Sequence, residues 1–314
     1  FGVPAGAVDF YSHRRGDGTP DLYENTTPVT ASGYLTDEIT DRSVAFLERH
    51  AGGPFFLNVS YTAPHWPFQP PDSRPADPSA VPSPDQASDF RLRQWPDDPV
   101  PATRADYIRM VERVDQGVGR ILDAIDRLDL ARGTLVIFTN DNGGEWLSRN
   151  DPFSHHKSTL WEGGIRVPLI ARWPGHLPVG ATSAQIAITM DVTPSILSVA
   201  GVPAAWRPDL DGIDILPALA GELPIVPRRL FWRIAGRTTA QKAVRDGRWK
   251  LLLDGDRALL FDLAVDAGEQ HDLAAEHPDL VRELRTAITN WEAEMGPSVH
   301  PASGVGAASS FDRK

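Results

Sequence analysis

Two stretches of the chain carry apolar side chains at helical spacing. Residues 33–50 set Leu35, Ile39 and Phe46 among charged and polar side chains, and a longer amphipathic pattern runs from Arg104 to Leu128. Such spacing places the apolar side chains on one face of a helix. We therefore predict two amphipathic helices, each of which needs a packing partner for its apolar face.

Three short runs have a different pattern, in which apolar side chains follow one another almost without a break. They lie at Phe55–Ser60, Thr134–Thr139 and Val167–Ala171. Runs of this kind are typical of strands that are covered on both faces. Helices alternating with such strands predict an α/β fold with a mostly parallel sheet sandwiched by helices. A further helix, predicted over Asp191–Ala200, continues this alternation.

The pattern changes after about residue 222. Short strand candidates separated by Gly and Asp turns follow, and they are Leu230–Trp232, Gln241–Arg245, Trp249–Leu253 and Leu259–Leu263. A helical pattern at Pro278–Met295 closes the series, which predicts a small antiparallel sheet plus a helix. We therefore divide the chain into an α/β domain over 1–222, an antiparallel subdomain over 223–296 and a flexible tail over 297–314.

Composition narrows the classes of function. The 314 residues are 41% hydrophobic and carry a net charge of −11, from 31 basic and 42 acidic side chains. No block of Lys and Arg would neutralise a phosphate backbone, which argues against nucleic acid as a partner. No apolar run approaches about 20 residues, so we expect no membrane span. The absence of Cys excludes disulfides, thiolate metal sites and cysteine nucleophiles within this sequence.

Two oxygen-bearing side chains directly follow the second apolar run. Asp141 and Asn142, with Gly143 and Gly144 behind them, lie at the carboxyl end of a predicted strand, which is where α/β sheets gather their ligand sites. Their oxygens suit a hard cation such as Ca²⁺ or Mg²⁺. Asp-Asn-Gly-Gly is also an ordinary turn sequence, so these residues by themselves leave both interpretations open.

Two basic side chains are further candidates for chemistry. His65 lies between Pro64 and Trp66, where a restricted backbone would fix its imidazole for proton transfer or anion binding. Lys157 precedes a predicted helix or turn and would place an ammonium group on a tetrahedral oxyanion. A plain loop histidine and a solvated surface lysine are the alternative interpretations of the same two residues.

Taken together, three segments resemble the type I (formylglycine-dependent) sulfatases, or arylsulfatases, of the alkaline phosphatase superfamily. They are Tyr61–Pro67 (YTAPHWP), Phe138–Gly144 (FTNDNGG) and Lys157–Pro168 (KSTLWEGGIRVP). The His of the first segment precedes the Asp of the second by 76 positions, and the Lys of the third follows that Asp by 16. Their order and spacing are close to those of the family, and the third segment is specific by itself.

The resemblance covers nearly the whole chain. Val3–His13 resembles the segment that follows the family's first active-site region. Three later segments resemble the family's small C-terminal subdomain, namely Asp246–Leu251, Leu260–Leu263 and Glu269–Leu273. The resemblance implies an alkaline-phosphatase-like α/β fold, here without its N-terminal strands, followed by a small antiparallel sheet plus helix.

The resemblance also implies an activity, that of a sulfuric ester hydrolase, and assigns roles to individual residues. Asp141 and Asn142 would be ligands of the active-site divalent cation, commonly Ca²⁺, with Mg²⁺ as the alternative. Lys157 and His65 would bind the sulfate ester and act in catalysis. His65 would be the general acid on the leaving-group oxygen. The implied partner is a small-molecule or carbohydrate sulfate ester.

The family's nucleophile is missing from the sequence. In sulfatases, a Cys or Ser in a Cys/Ser-x-Pro-x-Arg motif is oxidised to formylglycine, whose hydrate attacks sulfur. This sequence contains no Cys and no complete Ser version of the motif. The family's early Asp pair, Lys and His would also align upstream of Phe1. We therefore expect the chain to be the C-terminal part of a sulfatase, holding half of the active site and inactive by itself.

Two alternatives stay open on the sequence. Phosphonate and phosphate monoester hydrolases of the same superfamily recognise tetrahedral anions with a similar cation and lysine. A non-catalytic module that binds an anion, or that completes its site with a second polypeptide, is the other alternative. No signal-peptide pattern follows Phe1, so the compartment stays open, as do the oligomeric state and the identity of the substrate.

Overall fold

The computed structural model describes residues 1–4, 6–73, 102–145, 147–207, 209–234 and 240–295. These residues cluster in two compact units, Phe1–Thr134 and the chain from Leu135 onward. The predicted boundary near residue 222 therefore lies inside the second unit, and that division stays a prediction. The predicted tail over 297–314 lies outside the described residues.

The first unit contains a short hairpin and two long helices. The hairpin pairs β1 (Tyr23–Glu24) with β2 (Thr27–Pro28), and the helices are α1 (Leu35–His50) and α2 (Arg104–Arg127). Both predicted amphipathic helices are thereby confirmed. Helix α2 begins with a capping box, in which the Thr103 side chain and the side chain three residues later bond each other's backbone N–H groups, which satisfies donors that the first turn leaves unpaired.

The two helices lie side by side along their lengths. Three ion pairs at regular intervals join them, namely Arg113–Asp37, Arg120–Asp41 and Arg127–Glu48. Exposed pairs of this kind contribute at most about 1 kcal/mol each, so the apolar core supplies most of the stabilisation. That core contains Val8, Phe10, Leu22, Tyr34, Leu35, Ile39, Ala63 and Met110.

The strand predicted over Phe55–Ser60 is not formed in the described residues. The segment has no strand partner there, and its side chains alternate between half-buried and exposed, with Phe56 69% exposed. A strand requires a neighbouring strand to receive its backbone hydrogen bonds, and an apolar run cannot specify that neighbour. The described residues therefore do not form the buried strand predicted for this segment.

His13 is a buried titratable group of the first unit. It is 2% exposed, and its ring nitrogens lie near backbone groups of Gly33 and Ala31 without a well-formed hydrogen bond. Burial lowers the pKa of His13 below its usual 6.5, and the charges of Glu38 and Asp9 oppose that shift only in part. Because the folded-state pKa is depressed, the stability contributed by the neutral imidazole is fully present above the unfolded pKa and is lost as the pH falls through the folded pKa.

We expect His13→Gln to flatten the acid dependence of stability. The wild-type chain should lose more of its free energy of unfolding than the variant when the pH falls from about 7.5 to about 5, a range that spans the usual histidine pKa. Urea denaturation at both pH values measures this difference. His50→Gln, at an exposed position of α1, is the matched control and should keep the wild-type profile. Equal slopes for wild type and His13→Gln would contradict the prediction.

The second unit begins with a pair of strands, β3 (Val136–Thr139) and β4 (Leu169–Arg172), with the short helix α3 (Glu162–Ile165) between them in the chain. The two strands pair antiparallel. This corrects the parallel pairing predicted for the run at Thr134–Thr139. A continuous apolar run indicates burial but carries no information on the direction of the neighbouring strand.

Two further helices follow, α4 (Val192–Val199) and α5 (Leu216–Leu219). The helix predicted around α4 is confirmed. The fully buried Asp191 precedes it, accepts backbone hydrogen bonds from Ile188 and Ile213, and pairs with Arg228. A buried carboxylate needs such partners, so this cluster joins three loops of the second unit.

The small antiparallel sheet with its closing helix is confirmed. Its strands lie in the order β5 (Arg229–Ile234), β6 (Gln241–Asp246), β7 (Trp249–Asp254) and β8 (Arg257–Asp262), and α6 (Pro278–Met295) follows. All neighbouring strands in it are antiparallel. None of the helices in the described part of the chain is sufficiently long and apolar to span a membrane.

Side chains alternate between the two faces of the sheet along each strand. Both faces are covered by other parts of the second unit. One face packs on α6 through Val244, Leu251, Leu260, Leu284 and Ile288. The other face carries Ala243, Leu252, Leu259 and Phe261, which pack with Leu160 and Trp161. Leu160, three residues after Lys157, therefore anchors the segment that carries Lys157 on this sheet.

Candidate active site

The loop with Asp141 and Asn142 directly follows β3. Asp141 is exposed, and its carboxylate accepts the backbone N–H of Asn142 at 2.9 Å. The Gly143 N–H donates to the Gly164 carbonyl at 2.9 Å, and the Lys157 N–H donates to the Gly144 carbonyl at 3.1 Å. Backbone hydrogen bonds therefore join the Asp141 loop to the segment that carries Lys157.

These two loops approach each other backbone against backbone, which requires glycine. A Cβ on Gly143 would lie 1.9 Å from the Gly163 carbonyl oxygen. A Cβ on Gly163 would lie 2.3 Å from the His155 oxygen, and one on Gly164 would lie 2.2 Å from the Thr159 oxygen. No side chain fits at these distances, so glycine is needed at 143, where the two loops meet, and at 163 and 164, where the segment that carries Lys157 packs on itself.

Lys157 lies beside the first of these loops. Its Nζ is 3.6 Å from Oε2 of Glu145, and the two side chains are 28% and 17% exposed. Backbone hydrogen bonds thus place the segment that carries Lys157 next to the loop that carries Asp141 and Asn142, and the roles assigned to these residues stay predictions. Glu145 was not predicted, because a carboxylate in a polar loop carries no signal of its partner.

His65 belongs to the first unit, and its surroundings are local. The imidazole ring of His65 is half-buried, and its Nδ1 lies 2.7 Å from the Trp66 carbonyl. The backbone N–H of His65 donates to the Thr62 carbonyl at 2.8 Å. A carbonyl only accepts, so Nδ1 must carry the proton in this contact. Nε2 is then the nitrogen that is left for exchange of a proton.

A buried charge cluster holds the third motif against the sheet. Lys250 on β7 places Nζ 2.8 Å from Glu162 and 2.7 Å from Glu269, and all three side chains are at least 95% buried. Glu269 also accepts the backbone N–H of Glu162 at 2.6 Å. Burial raises the pKa of Glu269, and the ammonium of Lys250 opposes the rise. A lysine inside the apolar run of β7 was a signal for such a cluster that the sequence analysis missed.

The groups present account for only part of a metal site. In the described part of the chain, no three His, Asp or Glu side chains lie where they could share one ion. Asp141 and Asn142 could offer two oxygen ligands, and Ca²⁺ takes about six to eight. The donor type fits a hard cation, and the number of donors fits one side of its coordination shell.

Comparison with known proteins identifies the family. A family model described as Sulfatase matches residues 3–202, and a second, described as N-sulphoglucosamine sulphohydrolase, C-terminal, matches residues 153–294. The chain belongs to the sulfatase family. The family predicted from the three motifs is therefore confirmed, and the two matches together extend over most of this sulfatase chain.

Individual relatives give the extent of the likeness. Steryl-sulfatase of Mus musculus is 34% identical over 299 residues, a match that covers 82% of this sulfatase chain and 44% of the relative. The crystal structure of Ps i-CgsB in complex with k-i-k-neocarrahexaose has a TM-score of 0.71 and 26% identity, covering 86% of this chain and 57% of that one. The chain spans about half the length of the curated relatives it matches.

One solved structure belongs to a different type of hydrolase. Phosphonate monoester hydrolase SpPMH from Silicibacter pomeroyi has a TM-score of 0.59 and 23% identity, covering 94% of this sulfatase chain and 66% of that one. At this identity the likeness shows the fold alone. Together with the sulfatase structures, it confirms the predicted alkaline-phosphatase-like α/β class.

Proposed function

We propose that this chain is the part of a sulfate-ester hydrolase that binds the sulfate group and one side of its divalent cation. The observation that carries the proposal is the junction of two loops by the Gly143 and Lys157 backbone hydrogen bonds. That junction joins the backbone of the loop that carries Asp141 and Asn142 to the backbone of the segment that carries Lys157. A cation and an ammonium on neighbouring loops suit a tetrahedral oxyanion.

Each residue has a distinct task in this proposal. Asp141 and Asn142 hold Ca²⁺ or Mg²⁺, which, when bound, acts as a Lewis acid on the sulfate oxygens. Lys157 binds a sulfate oxygen as a compact positive charge. His65 is held by its Nδ1 contact to the Trp66 carbonyl, so its Nε2 is the nitrogen that would deliver a proton to the leaving-group oxygen. The proposal assigns the formylglycine nucleophile to sequence upstream of Phe1.

A sulfate ester is favoured over a phosphonate as the substrate. The Sulfatase family model covers residues 3–202, and steryl-sulfatase is the relative at 34% identity, whereas the phosphonate hydrolase shares only the fold. The proposed substrates are small-molecule or carbohydrate sulfate esters. A carbohydrate is supported by the neocarrahexaose that accompanies Ps i-CgsB in its crystal structure.

The test of this proposal begins in the coding sequence upstream of the Phe1 codon. We expect an in-frame Asp pair and a Cys/Ser-x-Pro-x-Arg motif there. The complete gene product, matured to formylglycine, should release sulfate from a panel of aryl and sugar sulfates. Lys157→Ala should lower kcat by about 10²–10³-fold, the usual loss when an oxyanion-stabilising group is removed.

Lys242→Ala is the matched control for this measurement. Lys242 lies on β6, where it pairs with Glu292 at a partly exposed position, and the variant should keep the wild-type kcat. Either of two results would overturn the proposal: an upstream sequence that lacks the motif, or a Lys157→Ala enzyme with wild-type activity.

A further inference from the structure

The side chain of Asn150 spans the gap between the two loops of the candidate site. Its Nδ2 donates to the Gly144 carbonyl and to the His155 carbonyl, both at 3.0 Å, and its Oδ1 accepts the Gly144 N–H at 3.1 Å. An asparagine amide has only two N–H donors, so both are used here. Asn150 is half-buried and follows the Asp141 loop in the chain.

The positions of these bonds link them to the Lys157 ammonium. Gly144 directly precedes Glu145, whose carboxylate faces the Lys157 Nζ, and His155 precedes Lys157 by two residues. The Gly144 carbonyl accepts from the Asn150 side chain and also from the Lys157 N–H. One amide group therefore holds the backbone on both sides of the Lys157–Glu145 contact.

We infer that Asn150 is a positioning residue, which sets the distance of the Lys157 ammonium from the Asp141–Asn142 loop. The inference deepens the proposed function and rests on it, since that function requires cation ligands and ammonium to act on one anion. Gly143 and Gly144 have no side chains with which to hold their own loop. A glycine pair has wide backbone freedom, so hydrogen bonds from outside must restrict it.

The chemistry of the amide explains why asparagine is needed. Aspartate has nearly the same shape and still accepts from the Gly144 N–H, but its ionised carboxylate cannot donate to either carbonyl. Alanine removes all three hydrogen bonds without adding a charge. Asn150→Asp and Asn150→Ala should therefore both break the hydrogen bonds to the Gly144 and His155 carbonyls. Asn290→Asp, at an exposed position of α6, adds the same negative charge away from the site and is the control.

Lysine labelling of the chain as it exists tests this inference. The sequence has four lysines, at positions 157, 242, 250 and 314, so mass spectrometry can follow each of them during a short acetylation pulse. Lys157 is 28% exposed and paired, Lys242 is 38% exposed and pairs with Glu292, and Lys250 is fully buried. The labelling rate of Lys157 therefore reports how firmly the two loops are held together. Lys242 reports the activity of the reagent, and Lys250 reports whether the second unit stays folded.

We expect both Asn150 variants to accelerate labelling of Lys157 relative to Lys242 by about tenfold, as the loss of hydrogen bonds of ordinary net strength would do. Lys250 should stay protected, and Asn290→Asp should match the wild type. An unchanged Lys157 to Lys242 ratio in both variants would overturn the inference. Labelling of Lys250 in step with Lys157 would overturn it too, because it would show that Asn150 supports the unit as a whole.

These results are separable from those that decide the proposed function. The labelling needs no nucleophile and no sulfate ester, whereas the hydrolase proposal is decided by the upstream sequence and by sulfate release. If labelling of Lys157 responds to the Asn150 variants but the complete gene product releases no sulfate, the positioning role of Asn150 stands and the hydrolase proposal is rejected.

Discussion

Lys250→Met is expected to lower the free energy of unfolding by about 3–5 kcal/mol, the cost of breaking a buried ion pair by removing one partner. Lys250 is fully buried between Glu162 and Glu269, which are themselves almost fully buried. Methionine fills a similar volume but leaves Glu269 without its cation, and leaves Glu162 only the more distant guanidinium groups of Arg166 at 3.5 Å and Arg245 at 4.0 Å. Urea denaturation followed by tryptophan fluorescence measures the loss.

Lys242→Met is the matched control for this prediction. Lys242 lies on the neighbouring strand β6 and pairs with Glu292 at 2.6 Å, but the two side chains are 38% and 23% exposed. An ion pair in such a position is worth about 1 kcal/mol or less. Equal losses for the two Lys→Met variants would show that the buried cluster contributes no more than a surface pair.

The pH dependence gives a second signature of the same variant. Burial already raises the pKa of Glu269 in the presence of Lys250, and removal of the ammonium should raise it further. A carboxyl group whose folded pKa is raised binds protons on folding, so it favours the folded state more as the pH falls through that pKa. The difference in free energy of unfolding between the wild type and Lys250→Met should therefore become smaller as the pH is lowered from 7 towards the usual glutamate pKa of about 4.5.

Gly143→Ala is expected to cost about 1–3 kcal/mol in unfolding free energy, as overpacking of a close contact does. The new Cβ would lie 1.9 Å from the Gly163 carbonyl oxygen. That carbonyl cannot move aside easily, because the Gly164 N–H of the same peptide group donates to the Trp161 carbonyl at 2.8 Å. The loops must therefore separate, and a displacement of about 1 Å at a catalytic site costs roughly 10²-fold in rate.

Gly119→Ala is the control for this substitution. A Cβ on Gly119, in the middle of α2, meets no atom within 4 Å. Alanine there should stabilise the helix by up to about 1 kcal/mol, because glycine is the poorer helix former. A Gly143→Ala chain that is as stable as the wild type, with unchanged labelling of Lys157, would show that the two loops are not tightly packed.

Local pattern was sufficient for much of the fold and for part of the site. The two long helices and the four strands of the C-terminal sheet were predicted within a few residues, because periods of 3.6 and 2 are properties of neighbouring positions. The family was predicted from three motifs, and the Sulfatase family model confirmed it. The roles of His65, Asp141, Asn142 and Lys157 are proposals that follow from those motifs.

Tertiary structure alone decided which distant segments meet. Among the described residues it gave Phe55–Ser60 no strand partner, and it made β3 and β4 antiparallel. It also brought Glu162 to Lys250, 88 positions away. An apolar run states that a segment is buried, but it names neither the neighbour nor its direction, because those depend on contacts between residues far apart in the chain.

The same distinction holds within the candidate site. Asp141 and Lys157 stood out in the sequence because a motif surrounds each of them. Asn150 has no such motif, and its importance lies in three hydrogen bonds to the backbone of other residues. The motifs in the sequence therefore indicated which groups to propose for binding a cation and an anion, and only the packing of the loops determined how the segments that carry those groups are held together.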